Sequence, residues 1–459
     1  MLSFYTKYKS HYGDTLKLAI PVVISQLGHT LVQMSDTIIV GHFAGTVSLA
    51  AVSLATSIFM VPMIIGIGIS YGSTPLIAQH NGRKEFAECG QLLSNSLFIN
   101  LITGFALFGL VVLGSAYFLD DLHQSPDVLK QAKPFLTLLA ASVIPMLIFN
   151  TFKQFAEGLG FTKQAMMVSI WGNVINICLG ITFVKGLFGI APMGIMGVGY
   201  STLIDRCLMA LVMGFYVFRS SNFKAYLKGF ALKNIDRVRS LRILKIGAPV
   251  AMQYAFEIGA FSTAAVIIGS IGTIQLAAHQ IAINLASMTY MMSSGLSAAA
   301  AIKSGNYFGT KDHHSLRLSA NASYHIVLVF MSVTALIFTF GNHLLPWIYT
   351  SDYSVISIAA QLLIIAAIFQ LFDGAQVVGL GILRGMGDVN IPTFITFLAY
   401  WVLGLPIGYF FGIHLKQGVN GVWYGLVIGL AVSAILLFIR YKIISKHHRI
   451  KQAVIIAQD

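Results

Sequence analysis

LKLAIPV at residues 16–22 returns as LKIGAPV at residues 244–250, and this echo decides the fold. Two further landmarks follow in the same order. SLAAVSLA from Ser48 is matched by QLAAHQIA from Gln275, and NGRKE from Asn81 by FGTKD from Phe308. Pro21 and Pro249 stand 228 residues apart, Gly82 and Gly309 227, so one residue has been lost between the landmarks. Preserved order with slight drift is the mark of an old duplication. A duplicated bundle of apolar helices is the usual architecture of a secondary transporter.

Composition places both copies in lipid. The 459 residues are 56% hydrophobic and only 10% charged, and the mean hydropathy is +0.79, more apolar surface than a water-soluble fold can cover. A span needs about 20 apolar residues to cross ~30 Å of hydrocarbon. Such runs lie near 16–39, 47–72, 92–117, 135–156, 164–186 and 194–218 in the first half. The second half repeats them near 243–268, 275–300, 318–341, 356–380, 393–412 and 420–441. Backbone in lipid must satisfy its own hydrogen bonds, and the alternating strands of a barrel are absent, so the expectation is an all-α membrane protein of twelve transmembrane helices. Two six-helix lobes are expected, at 1–218 and 243–459, the second with a basic tail. Six is even, so both lobes enter from one side and form parallel repeats.

A net charge of +13 raises nucleic acid as a partner, but the positions of the cations argue against it. With the amino terminus inside, the inner segments hold Lys7, Lys9, Lys17, Arg83, Lys84, Lys153, Lys163, Lys303, Lys311, Arg317, Arg384 and the tail from Lys446, whereas the outer loops hold only Lys130, Lys133, Lys185 and Lys416. That asymmetry puts both termini in the cytoplasm. The basic linker 219–242 carries Arg219, Lys224, Lys228, Lys233, Arg237, Arg239 and Arg242 against Asp236. It is expected to be a solvated connector, with an amphipathic helix on anionic lipid as the alternative. Cys89, Cys178 and Cys207 suggest neither disulfides nor a metal site, and the long first apolar run is no cleaved leader.

Enzyme signatures are weak. Gly68, Ser70 and Gly72 match G-x-S-x-G, but inside a helix, where small residues serve close packing. Neither a phosphate-binding loop nor H-E-x-x-H occurs, so no catalysis is expected. His279 and the pair His313 and His314 read as structural. No cofactor is implied.

The chemistry lies in the few acids within the spans. An ionised side chain at mid-bilayer costs on the order of 3 kcal/mol by insertion scales, so such residues line cavities and carry function. Asp36, Glu257 and Asp373 stand out. Gln26, His29, Gln33 and Asp36 recur at three- and four-residue steps on one face of the first helix, above Pro21, which lacks an N–H and can kink it. Gln253 lies one turn before Glu257, and Gln370 accompanies Asp373. Glu257 and Asp373 with neighbouring amide oxygens suit a hard metal ion such as Na+, and the same pair can carry a proton. Asp36, which has Ala264 at the matching place in the second lobe, is expected to act as a separate protonatable group that bends the first helix at Pro21. Asp205 and Arg206 read as adjacent charges that compensate each other locally.

QMSDTIIVG around Asp36, AFEIGAFSTAAVIIG around Glu257, SAAAAIKSGN from Ser297 and FDGAQVVGLGILRGMGD around Asp373 resemble the multidrug and toxic compound extrusion (MATE) transporters, NorM-type branch, over nearly the whole chain. The resemblance implies a V-shaped antiporter in a bacterial inner membrane that exports amphipathic, often cationic drugs in exchange for sodium or protons, with Asp36, Glu257 and Asp373 coupling the cation. A monomer is expected. It also points to a polar network of Asn173, Asn176 and Thr202 in the first lobe. Where the family has a second asparagine four residues after Asn176 this chain has Gly180, and where it often has a tyrosine before the acid of helix ten this chain has Phe369, whose ring face remains available to a cation. The alternatives are a lipid-linked oligosaccharide flippase, whose lining would have to be cationic, and an ion channel, which needs no duplicated lobes.

Overall fold

The computed structural model describes residues 2–119 and 125–456, with backbone alone for 2–6, 118 and 447–456, so the side chains of the basic tail beyond Lys446 lie outside the described residues. No strand occurs among the described residues. Among the described residues twelve long helices follow one another: α1 (Leu2–Phe43), α2 (Thr46–Ser70, resuming as Ser73–Gly82), α3 (Phe86–Phe118), α4 (Pro126–Gly158), α5 (Thr162–Lys185), α6 (Ile195–Arg219), α7 (Arg237–Ile271), α8 (Thr273–Gly309), α9 (His313–Phe340), α10 (Tyr353–Gly385), α11 (Asn390–Phe397, running on to His414) and α12 (Gly418–Ile456). Eleven are long and apolar enough to cross a membrane. The twelfth, α8, has the length, but its alanines, serines and glycines dilute its apolar character. Large apolar side chains such as Leu110, Phe215 and Phe340 stand exposed, as a bilayer requires.

The duplication is written into the backbone. α2 ends at Lys84 and α8 at Lys311 in the same left-handed turn, with Lys84 N–H bonded to Asn81 C=O at 2.9 Å and Lys311 N–H to Phe308 C=O at 3.2 Å. α4 and α10 end alike, on Gly160 (φ 90°) and Gly387 (φ 82°), a conformation that favours glycine.

The chain forms two compact units, Ile24–Ala251 and, together, Met1–Val23 with Met252–Asp459. Both crossings fall two residues after a duplicated proline, Pro21 or Pro249. α1 nevertheless passes Pro21 as one continuous helix, not as a broken one.

In the unit of residues 24–251, the linker after α6 exposes Arg219, Lys224, Lys228, Lys233, Arg237 and Arg242, as a solvated connector would, but part of it is packed. It folds as short turns of helix packed on α3, with Phe223 fully buried against Phe155, Phe161 and Tyr216. Its backbone is tied down by one buried residue. Asn95 accepts from Asp236 N–H and Ser240 Oγ, each at 2.9 Å, and donates to Asn234 C=O at 3.0 Å. Arg239 clamps Glu88 through two nitrogens at 2.9 and 2.6 Å and also pairs with Asp236. Asn95 and Ser94 on α3 supply partners for this backbone, and Glu88 on α3 for the charge of Arg239.

The G-x-S-x-G match is packing, as expected. A Cβ at Gly68 would stand 2.4 Å from Ala251 Cα, and Ser70 Oγ is spent on Gly66 C=O and Asn100 Oδ1. In the other unit Lys303, buried on α8, donates to His11 C=O at 3.1 Å and Thr15 Oγ1 at 3.2 Å, which fastens the first turns of α1.

Candidate functional site

Each unit holds a buried polar cluster. In the unit containing residues 252–459, Glu257 on α7 and Asp373 on α10 are both buried and lie within electrostatic range of one another. Two helices are needed to set them there. Gln253, one turn before Glu257, donates to Thr393 Oγ1 at 2.9 Å and Val389 C=O at 3.3 Å, fixing α7 against the start of α11. Gln370, one turn before Asp373, accepts from Thr334 Oγ1 at 3.1 Å and leaves Nε2 buried without a partner. One turn after it, Gln376 donates to the Tyr400 hydroxyl at 3.0 Å.

Tyr290 on α8 and Tyr400 on α11 share the field of both acids, and periodicity had singled out neither. Tyr400 enters because α11 winds as a π-helix over Leu398–Gly404, a local widening frequent at functional sites. Among the described residues no cation stands beside the two carboxylates, so this unit holds two acids and phenolic and amide oxygens around them. A hard monovalent ion or a proton suits that donor set.

Phe369 is buried in the core, its ring centroid 6.0 Å from that of Phe261 and 5.5 Å from that of Trp423. His279 is structural as expected, accepting from Trp423 Nε1 at 3.1 Å.

In the unit of residues 24–251 the cluster joins α1, α5 and α6. Asp36 is half-buried with Oδ1 buried and unpartnered, whereas Gln33 is exposed. Asn173 faces α1, with Nδ2 2.4 Å from the place of a Cβ at Gly28, and has no hydrogen-bond partner there. Asn176 donates to Thr202 Oγ1 at 3.4 Å, and its Oδ1 is unpartnered. Asp36 also lies within electrostatic range of Asp205 and Arg206.

Asp205 and Arg206 lie within electrostatic range of one another, as the expected local compensation requires, although their side chains diverge. Side chains one residue apart project about 100° apart on a helix. Arg206 Nη1 donates to Ser142 Oγ at 2.7 Å and its guanidinium lies 5.6 Å from the centroid of Phe59, while Asp205 is buried facing α5. His29, 228 residues before Glu257, stands within range of the cations Lys153 and Arg206, so equivalent places carry opposite chemistry in the two units. Among the described residues no set of three or more His, Cys, Asp and Glu is grouped as a metal cage.

Comparison with known proteins adds the family. The MatE family model matches residues 21–182 and again residues 249–410, two copies 228 residues apart. The chain is 34% identical over 449 residues to the multidrug resistance protein MdtK of Yersinia pseudotuberculosis serotype O:1b (strain IP 31758), covering 96% of this chain and 97% of that one. It is 32% identical over 444 residues to the probable multidrug resistance protein NorM of Xylella fastidiosa (strain Temecula1 / ATCC 700964), covering 96% and 94%. Its fold matches the crystal structure of the eukaryotic MATE transporter AtDTX14 with a TM-score of 0.86 at 19% identity, over 97% of this chain and 99% of that one. A duplicated helical lobe, matched twice by one model and with relatives along its whole length, belongs to the MatE family.

Proposed function

We propose that this chain is a secondary active antiporter that exports amphipathic, often cationic drugs in exchange for sodium. The observation that carries the reading is the pair Glu257 and Asp373, buried on different helices without a cation beside them among the described residues. Burying two like charges is costly, so an entering cation is bound strongly in whichever conformation brings the pair together. Differential binding of that kind shifts the population toward that conformation, and a drug that competes for it is exchanged rather than co-bound. One charge moving inward gains about 2.3 kcal/mol per 100 mV, so a monovalent drug is expelled uphill with the help of the ion's concentration gradient. The names of the relatives NorM and MdtK support the drug as cargo. The bacterial inner membrane, with both termini in the cytoplasm, agrees with the distribution of lysine and arginine.

Drug efflux from vesicles under imposed sodium and pH gradients tests this. Sodium-driven export is expected. Export that follows the pH gradient and ignores sodium replaces sodium with the proton, and no gradient-driven export at all rejects the antiporter.

A further inference from the structure

Leu232 and Val238, at the entry to α7, are 70% and 69% exposed. Each has an exposed cation beside it in the chain, Lys233 and Arg237. On the first turns of α7 Val238, Leu241, Arg242 and Lys245 follow at i, i+3, i+4 and i+7, so one helical face exposes two apolar and two basic side chains together. Helical side chains lean toward the N-terminus and a lysine stem reaches further, which brings the Lys245 ammonium back toward the level of Leu241.

This face is held in place. Asn95 on α3 binds the backbone of Asn234 and Asp236 together with the Ser240 hydroxyl, and Ser94 accepts from Ala231 N–H at 3.1 Å. The turn carrying Leu232 and Lys233 is thereby fixed beside the first turns of α7. No acid neutralises the cations. Glu88, the acid within electrostatic range of Arg242, is clamped by Arg239, and so is Asp236. Among the described residues Lys233, Arg242 and Lys245 form no ion pair.

Charge topology accounts for basic residues next to a span. It does not account for Leu232, Val238 and Leu241 standing exposed among them. The apolar run of α7 begins at Ile243, directly after Arg242, so the face stands where the helix enters the bilayer and is continuous with its lipid-embedded surface.

We propose that this face docks on anionic phospholipid of the leaflet on the linker's side, with Lys233, Arg242 and Lys245 on the head-group phosphates and Leu232, Val238 and Leu241 among the upper acyl carbons. A zwitterionic lipid offers no net charge to a cluster without acids. Free phosphate offers nothing to the apolar tips, whereas an anionic phospholipid supplies both contacts. The docking does not depend on which ion or drug is carried.

The test uses the full-length protein in an uncharged detergent, titrated with phosphatidylglycerol or with phosphatidylcholine of the same acyl chains, and bound lipid is counted by native mass spectrometry. Phosphatidylglycerol is expected to bind more tightly by about tenfold or more. Lys233→Gln, Arg242→Gln and Lys245→Gln together should remove most of that preference. The same loss of charge in Lys130→Gln, Lys185→Gln and Lys416→Gln, at helix ends expected on the other side of the membrane, should leave it in place. Equal affinity for the two lipids overturns the proposal, and so does an equal loss in both triple variants. Leu232→Ser with Val238→Ser should weaken phosphatidylglycerol binding, and glycerol phosphate in excess should displace no lipid. Unaltered lipid binding in that variant, or displacement by glycerol phosphate, makes the face a site for free phosphate and overturns docking on lipid. Should the charge variant fail to fold, the unaltered protein decides: the preference falls as salt rises if the cations carry it, and indifference to salt overturns the proposal.

Discussion

Lys84 and Lys311, 227 residues apart, hold the same left-handed backbone, with φ of 61° and 59°. Such a conformation costs a residue with a Cβ about 1 kcal/mol or more. The turn is kept in both halves because it satisfies the last carbonyls of α2 and α8. Lys84→Gly and Lys311→Gly are therefore expected to leave stability unchanged or raise it by up to about 1 kcal/mol, because relief of strain is partly offset by glycine's larger unfolded entropy. Valine at either place should destabilise by a similar or larger amount. Melting temperatures of the four variants check this, and valine variants as stable as the parent would contradict it.

Glu257→Gln and Asp373→Asn should each abolish gradient-driven efflux while the protein remains inserted and folded, because what is lost is the charge that binds the coupling ion. Size-exclusion profiles and vesicle efflux measured on the same preparations separate the two effects. Normal export by either variant removes that residue from the site.

Asp36→Asn and Asp205→Asn should each lower export, and the double variant should lose little beyond the larger single effect. Groups that act as one cluster are non-additive. Losses that multiply would mean that the two acids work apart.

Asn95→Ala should cost about 3 kcal/mol, since it strands the N–H of Asp236 and the carbonyl of Asn234 beneath the linker. Protease sensitivity within residues 220–236 should rise together with the loss of melting temperature. Loss of stability without new cleavage there would argue that the linker is held by Phe223 instead.

The backbone N–H of Arg239 and then its guanidinium hold the Asp236 carboxyl below the usual carboxylate range. A depressed folded-state value gives stability that is present above the unfolded value of about 3.9 and is lost as pH falls through the folded value. Asp236→Asn should accordingly be less stable than the parent at pH 7, and the gap should close under acid, below about pH 4. A gap that stays constant down to pH 2 would show that this charge adds nothing to stability.

The repeat, the helices and the acids are legible in the sequence, because each depends on the order of residues along the chain. Apolar length alone makes a span in lipid, and a duplicated LKLAIPV carries its neighbours at a constant offset. Glu257 and Asp373 were legible for a related reason, since a carboxylate inside a span is too costly to be incidental. α8 was legible as an apolar run at 275–300 that mirrors the first half, although its small residues dilute its hydropathy.

What only the tertiary structure decided is which residues meet. Asp205 and Arg206 are neighbours in sequence and diverge in space, because successive side chains on a helix point about 100° apart, so Arg206 turns to Ser142 while Asp205 faces α5. Tyr400 reaches the second acid cluster through a π-helical widening, and Phe369 is packed by Phe261 and Trp423, neither of them near it in sequence. The seven basic residues of the linker suggested solvent, yet Asn95 on α3 ties that backbone down. Local order along the chain determines helices, spans and the residue types that can bind a cation. Partners come from packing between helices far apart in sequence.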